Sequence, residues 1–185
     1  MVNKENSFGL VQVFWGNGKG KTTAALGTSL RALGRGHTVH LVQMMKAGIE
    51  GTGEFEEYGE LLALKKFPNF SFERFGFREW VIGKPKPGHI EQAKKALKAA
   101  QKAAEKGKFD VVVVDECLYG VQLGALTEEQ VIGLIKSKHA NTELILTGSH
   151  KPLEKIFAAA DLVTEVRKVK HPFDKGIPAR KGIEY

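Results

Sequence analysis

Gly16, Asn17, Gly18, Lys19, Gly20, Lys21, Thr22 and Thr23 stand together after an apolar run and before a helical pattern. Glycines accept backbone angles that turn successive N–H groups inward, which makes a nest for phosphate oxygens. The N-terminus of the following helix adds partial positive charge, and Lys21 adds a full one. Thr22 brings a hydroxyl of the kind that reaches Mg²⁺ in such loops. A glycine-rich turn with a chance lysine would not need this strand–loop–helix setting, whereas phosphate binding does. The common pattern G-x-x-x-x-G-K-[ST] has glycine where this chain has Trp15, and the leading glycine comes one place later. The nest is therefore expected to differ in shape. A second apolar run, VVVVDE, ends in Asp115 and Glu116. A carboxylate pair at a strand end can cap a helix, sit on the surface, or hold Mg²⁺ directly or through water. Beside a phosphate loop, the metal role is the expectation, with Thr22, Asp115 and Glu116 as its donors. ATP with Mg²⁺ is the ligand this chemistry implies.

The elements that must position these groups are legible as apolar, β-branched runs at 10–14, 38–43, 111–115 and 143–148, with a fifth at 161–169. Near-continuous hydrophobicity marks strands buried on both faces, as in parallel sheets. Helical patterns fall between and after them at 21–34, 54–64, 89–107, 127–136 and 152–159. The alternation predicts an α/β domain, a mostly parallel sheet flanked by helices, without internal repeats. In the 89–107 helix, Ile90, Ala93, Leu97, Ala100 and Ala104 form an apolar stripe, and Lys94, Lys98 and Lys102 line up outside it. From Gly76 to Gly88 the period is lost, and aromatic side chains sit in what reads as a functional loop.

With 185 residues the expectation is one domain, 1–185, burying roughly 70% of its unfolded surface. Hydrophobic and charged fractions of 42% and 26% are ordinary for a globular protein. Cys117 is the single cysteine, which excludes an internal disulfide and fits a reducing compartment. No apolar run approaches the roughly 20 residues of a membrane span, and MVNKENSFG lacks the apolar core of a secretory signal. A cytoplasmic enzyme is expected. The net charge of +7 comes largely from 94–108 and 167–181. Those clusters could meet nucleic acid or a smaller polyanion; solvated faces are the expectation.

The order GNGKGKTTAALG, RALGRGHTVHLVQMMKAG, VVVVDE, LTGSHKP and ADLVTEVRKVKHPFDKGIPARKGIEY resembles the ATP:corrinoid (cob(I)alamin) adenosyltransferases of cobalamin biosynthesis and salvage. The resemblance covers nearly the whole chain. It implies a P-loop NTPase-like, RecA-like domain, a homodimer, and a Mg²⁺ requirement. The implied reaction is attack of Co(I) corrinoid on the 5′ carbon of ATP, releasing triphosphate, with a flavoprotein as candidate reductant. It further implies that ATP lies reversed in the loop, which would account for Trp15. Lys21, Thr22 and Glu116 would then form the catalytic set, stabilising charge that grows on the triphosphate, with Asp115 orienting the metal or its waters. Asn17 resembles the loop asparagine beside the nucleotide.

For the corrinoid, the resemblance implies that Phe77 and Trp80 cover its lower axial face, and that Met44 and Met45 line its pocket. Packing is the other use open to Trp80 and to the methionines. The chain departs from the family pattern in four places, the first being Met44 and Met45 where phenylalanine is usual. It has one more residue between Phe77 and Trp80. Ser149 and His150 follow Thr147 and Gly148 where an arginine is usual, with His150 or Lys151 as substitutes. About nine residues precede the first strand, too few for the helical lid some members carry, so the corrinoid would be gripped more loosely. A RecA-like, nucleic-acid-stimulated ATPase and a nucleotide-binding regulatory module are the competing functions.

Overall fold

A computed structural model describes residues 8–45, 58–77 and 83–185. The chain runs β1 (Val11–Trp15), α1 (Lys21–Gly34), β2 (Val39–Gln43), α2 (Gly59–Leu64), β3 (Phe70–Arg74), α3 (Pro87–Glu105), β4 (Val111–Asp115), α4 (Cys117–Gln122), α5 (Glu128–Ser137), β5 (Glu143–Thr147), α6 (Glu154–Ala158) and β6 (Leu162–Glu165). A single 3₁₀ turn follows at Pro172–Lys175. The strands form one six-stranded sheet in the order β3-β2-β4-β5-β1-β6. Every neighbouring pair is parallel. All strand C-termini therefore share one edge, where open α/β sheets bind ligands.

Side-chain alternation divides the core in two. Val111, Val113, Leu41, Phe14 and Ile145 face α1 and α2, packing on Ala25, Leu33, Leu61 and Leu64. Val112, Val114, Val42, Val13 and Leu146 face the other way, onto the alanines of α3 and Leu134 of α5. α3 opens on Pro87 at its first turn, where a missing N–H costs nothing. It buries Ala93, Leu97, Ala100 and Ala104, and Lys94, Lys98 and Lys102 are exposed. Thr127 and Gln130 cap α5 reciprocally, each side chain accepting from the other's backbone N–H.

Two elements carry no signal in the sequence pattern. β3 reads FSFER, half-buried except at the exposed Glu73, because it is an edge strand that pairs with β2 among the described residues. α4 starts immediately after Glu116, whose left-handed φ of 61° makes the break between strand and helix abrupt. The strand expected over 161–169 ends at Glu165, because the chain then crosses the glycine loop. The helix expected from residue 54 begins at Gly59 among the described residues.

Candidate active site

Pleating sends Gln43, Asp115 and Thr147, the last residues of β2, β4 and β5, toward α1. Asp115 is 1% exposed. Its Oδ1 accepts from Thr22 Oγ1 at 2.9 Å and Thr147 Oγ1 at 2.6 Å, and its Oδ2 faces Gln43 Nε2 at 3.4 Å. Thr147 also accepts from the Glu116 amide at 3.0 Å, which ties the left-handed corner to β5. The phosphate loop and the carboxylate pair thus meet around one strand, β5, that separates β1 from β4.

Trp15 is accommodated by the same alternation. It continues β1 on the face away from α1, where its ring packs on Phe157 of α6 at 5.1 Å. The turn starts at Gly16, with φ 114°. The loop is also built against the chain's last segment. Gly18 N donates to Val166 O at 2.7 Å and Lys168 N to Asn17 Oδ1 at 2.9 Å, while Gly16 N donates to Ser149 O, just past β5, at 3.0 Å. A Cβ on Gly16 would lie 2.4 Å from Val166 O, and one on Gly18 would lie 2.8 Å from Arg167 C. Those two glycines are required by a crossing chain as well as by a nest. Gly20, φ 122°, is required by its angle alone, and its carbonyl takes the first helical bond of α1 from Ala24 N.

Lys21 curls over the loop, its Nζ donating to Gly16 O at 2.7 Å and Gly18 O at 3.0 Å. Lys19 points outward to Glu184, 2.6 Å away. Together with Thr22, Thr23 and Glu116, both lysines border a cleft of about 790 Å³. Its apolar walls are Leu26 and Leu30 of α1, Ala63 and Leu64 of α2, and Tyr58 and Phe67 beside α2. The 166–185 segment, hereafter the strap, closes the third side with His171, Ala179, Glu184 and Tyr185.

The donors around Thr22 are hard oxygens: one hydroxyl and two adjacent carboxylates. Mg²⁺ keeps several waters and needs only one or two protein carboxylates, so these residues fit it. Among the described residues no cluster of three His, Cys, Asp or Glu stands ready for a more protein-rich metal site.

The corrinoid candidates separate. Met44 is 1% exposed in the core on the α3 side, since it points opposite to Gln43. Met45, φ 59°, packs over α4 near Gly120. The Gly76 backbone presses on it, with a would-be Cβ 2.7 Å from Met45 Cα. Phe77 is 44% exposed and meets His89 edge-on at 5.2 Å. Met45 and the Gly76–Phe77 turn are therefore neighbours at the carboxyl edge. Trp80 lies outside the described residues. His150 stands against Tyr119, its ring centroid 5.5 Å away, and its amide donates to Gln122 Oε1 at 2.6 Å. Partial burial, then the Lys21 charge, hold its imidazole below the usual histidine range. Cys117 is fully buried, and burial pushes its thiol up to about 12, so it behaves as a small apolar side chain.

Sequence reasoning did not find the roles of Thr147, of Asn17 as an anchor for the strap, or of the Lys19–Glu184 pair. All three depend on which strands are neighbours and where the last residues return, which no local pattern encodes.

A phosphate loop closing β1, a buried strand-end aspartate on β4 and one strand between them define a P-loop protein of the RecA-like kind. The family model described as ATP:corrinoid adenosyltransferase BtuR/CobO/CobP matches residues 7–185. The chain belongs to that family. It is 37% identical over 190 residues to the corrinoid adenosyltransferase CobA of Salmonella typhimurium, covering 96% of this chain and 86% of that one. It is 34% identical to the corrinoid adenosyltransferase of Escherichia coli K12, covering 100% and 90%. The crystal structure of the RadB recombinase shares the fold, with TM-score 0.51, 16% identity, and coverage of 89% of this chain and 77% of that one. At that identity the likeness is one of architecture. Among the described residues, no helix is long and apolar enough to cross a membrane.

Proposed function

We propose that the chain transfers the 5′-deoxyadenosyl group of ATP to the Co(I) centre of a reduced corrinoid, cobalamin or cobyrinic acid a,c-diamide, and releases triphosphate. The Co–C5′ bond forms from the metal's electron pair as the C5′–O bond breaks, and that oxygen leaves with the triphosphate. The nucleophile supplies its own electrons, so no general base is required. What carries the proposal is the Thr22–Asp115 bond of 2.9 Å joining the phosphate loop to the strand-end carboxylate, in a chain of this family.

Lys21 and the loop's N–H groups, apart from those of Gly16 and Gly18 that bond Ser149 O and Val166 O, would stabilise the charge gathering on the leaving triphosphate. Thr22 and Glu116 would hold Mg²⁺, and Asp115 would orient Thr22 and metal-bound water. When bound, Mg²⁺ supplies further neutralisation of the phosphates. Met45 and Phe77 would contact the corrinoid. The working form is a homodimer in the cytoplasm on which a flavoprotein reduces the bound corrinoid to Co(I), and residues 1–185 act as one unit.

The test is incubation with ATP, Mg²⁺ and chemically reduced cobalamin, following the visible spectrum for Co–C bond formation and the phosphate products. Triphosphate is the expected product. ADP as the main product, rising with added single-stranded DNA, would identify a nucleic-acid-stimulated ATPase instead. Lys21→Ala should lower transfer by about 100-fold or more, the range for losing one charge-stabilising donor. Phe77→Ala should impair transfer most when cobalt must be reduced on the protein, and little when free Co(I) is supplied.

A further inference from the structure

Glu184 lies far from the loop in sequence and against it in space. Its carboxylate takes four hydrogen bonds: from Lys19 Nζ at 2.6 Å, from the Arg180 amide at 2.7 Å, and from Arg180 Nε and Nη2 at 3.1 Å each. The Arg180 contact is two-pronged, the arrangement in which a carboxylate is held with fixed orientation. The Glu184 side chain is only 20% exposed. Arg180 first, then Lys19, hold its carboxyl down at about 2, so it stays ionised throughout the physiological range.

An isolated surface ion pair contributes little, but a network with fixed geometry does more. This one closes a tight turn in which Glu184 N and Ile183 N both donate to Arg180 O, and Gly182 N donates to Tyr185 O. The turn presents Tyr185 and Glu184 to the cleft. At its other end the strap is pinned to the loop by the Gly18–Val166 and Asn17–Lys168 bonds. Midway, Lys168 reaches Asp174 at 3.0 Å, and His171 accepts from Phe173 N at 3.2 Å. The strap is therefore fastened to the phosphate loop at two places, by the bonds to Gly18 and Asn17 near its start and, near its end, by Lys19, which donates to Glu184 Oε1 at 2.6 Å and more weakly to Ile183 O at 3.4 Å.

We propose that Glu184 is a positioning residue for nucleotide binding: it buckles the strap onto Lys19, so that strap closure and nucleotide binding form one coupled equilibrium. The proposal rests on the cleft being the nucleotide site. Opening the buckle removes the cleft's third wall and frees the long Lys19 side chain, whose reordering the nucleotide must then drive. By linkage, bound nucleotide must in turn hold the strap down.

The experiment titrates the full chain with MgATP by calorimetry and measures strap cleavage by trypsin at its exposed lysines and arginines, with and without MgATP. Glu184→Gln should raise the ATP dissociation constant and KM together by about fivefold, with kcat within about twofold, as expected for a small charged network. It should also speed strap cleavage and weaken the protection MgATP gives. Glu184→Asp should recover part of the affinity. Arg180→Gln, which keeps the Lys19–Glu184 contact, should move both readouts the same way by less. Unchanged or tighter ATP binding by Glu184→Gln, or an unchanged cleavage rate, overturns the proposal; tighter binding would mean that the carboxylate competes with phosphate for Lys19. A wild-type chain that binds ATP with strap protection yet forms no Co–C bond sinks the adenosyl-transfer function and leaves the buckle standing. One that binds no ATP sinks both.

Discussion

Thr147 sits between two charged neighbours without being charged itself. Its hydroxyl donates to Asp115 Oδ1 and accepts from the Glu116 amide, so one side chain sets both carboxylate residues. Thr147→Val keeps the shape and removes both bonds. The expected loss is about 1–3 kcal/mol, the cost of leaving buried polar groups unpaired, measurable by urea unfolding, with a fall in transfer rate beyond that caused by stability alone. Asp115 was legible in the sequence because an apolar run ended in it. Thr147 was legible only as the end of a strand. Its partnership depends on β5 lying between β1 and β4, which spacing along the chain does not disclose.

At the scale of elements, the edge pair β2–β3 holds a titrating group. His40 is 6% exposed, its Nδ1 pairs with Ser71 Oγ at 2.8 Å, its Nε2 faces Glu73 Oε1 at 3.4 Å, and its ring stacks on Phe109. Burial lowers its pKa below 6.5, opposed in part by Glu73 and reinforced by Lys108. The folded chain thus binds fewer protons than the unfolded chain just below that value. Stability from this site is full above pH 6.5 and is lost as pH falls from there through the lower folded-state pKa. Melting temperatures from pH 7.5 to 5.5 should fall, and His40→Gln should flatten the decline. At the loop, Gly16→Ala would drive a Cβ against the Val166 carbonyl at a φ of 114°. About 1–3 kcal/mol of strain is expected, read as a lower melting temperature together with weaker ATP binding. The major strands and helices were readable because buried parallel strands and amphipathic helices carry strong periodicity. β3 was not, because half-buried edge residues mix aromatic and charged types.

On the scale of the whole molecule, Cys117 reports cooperative opening. It is the single thiol, fully buried at the first residue of α4. A thiol reagent should label the folded chain no faster than the chain unfolds, and in urea the labelling rate should track the unfolding transition. The lysine face of α3 is solvated and stands apart from the cleft lining. The sequence leaves nucleic acid or a smaller polyanion open for that face, with a solvated face as the expectation.

The strap reaches the loop across a sequence separation of 151 residues, the distance from Asn17 to Lys168. At ribosomal speeds of 5–20 residues per second, the glycine turn is made roughly 8–30 s before the segment that covers it. A growing polypeptide therefore carries its phosphate-binding turn half-finished for most of its synthesis. Stalled ribosome complexes ending before residue 166 should retain no ATP, and those extending past 185 with a spacer should retain it, so nucleotide capture would report that residues 166–185 have emerged and folded back.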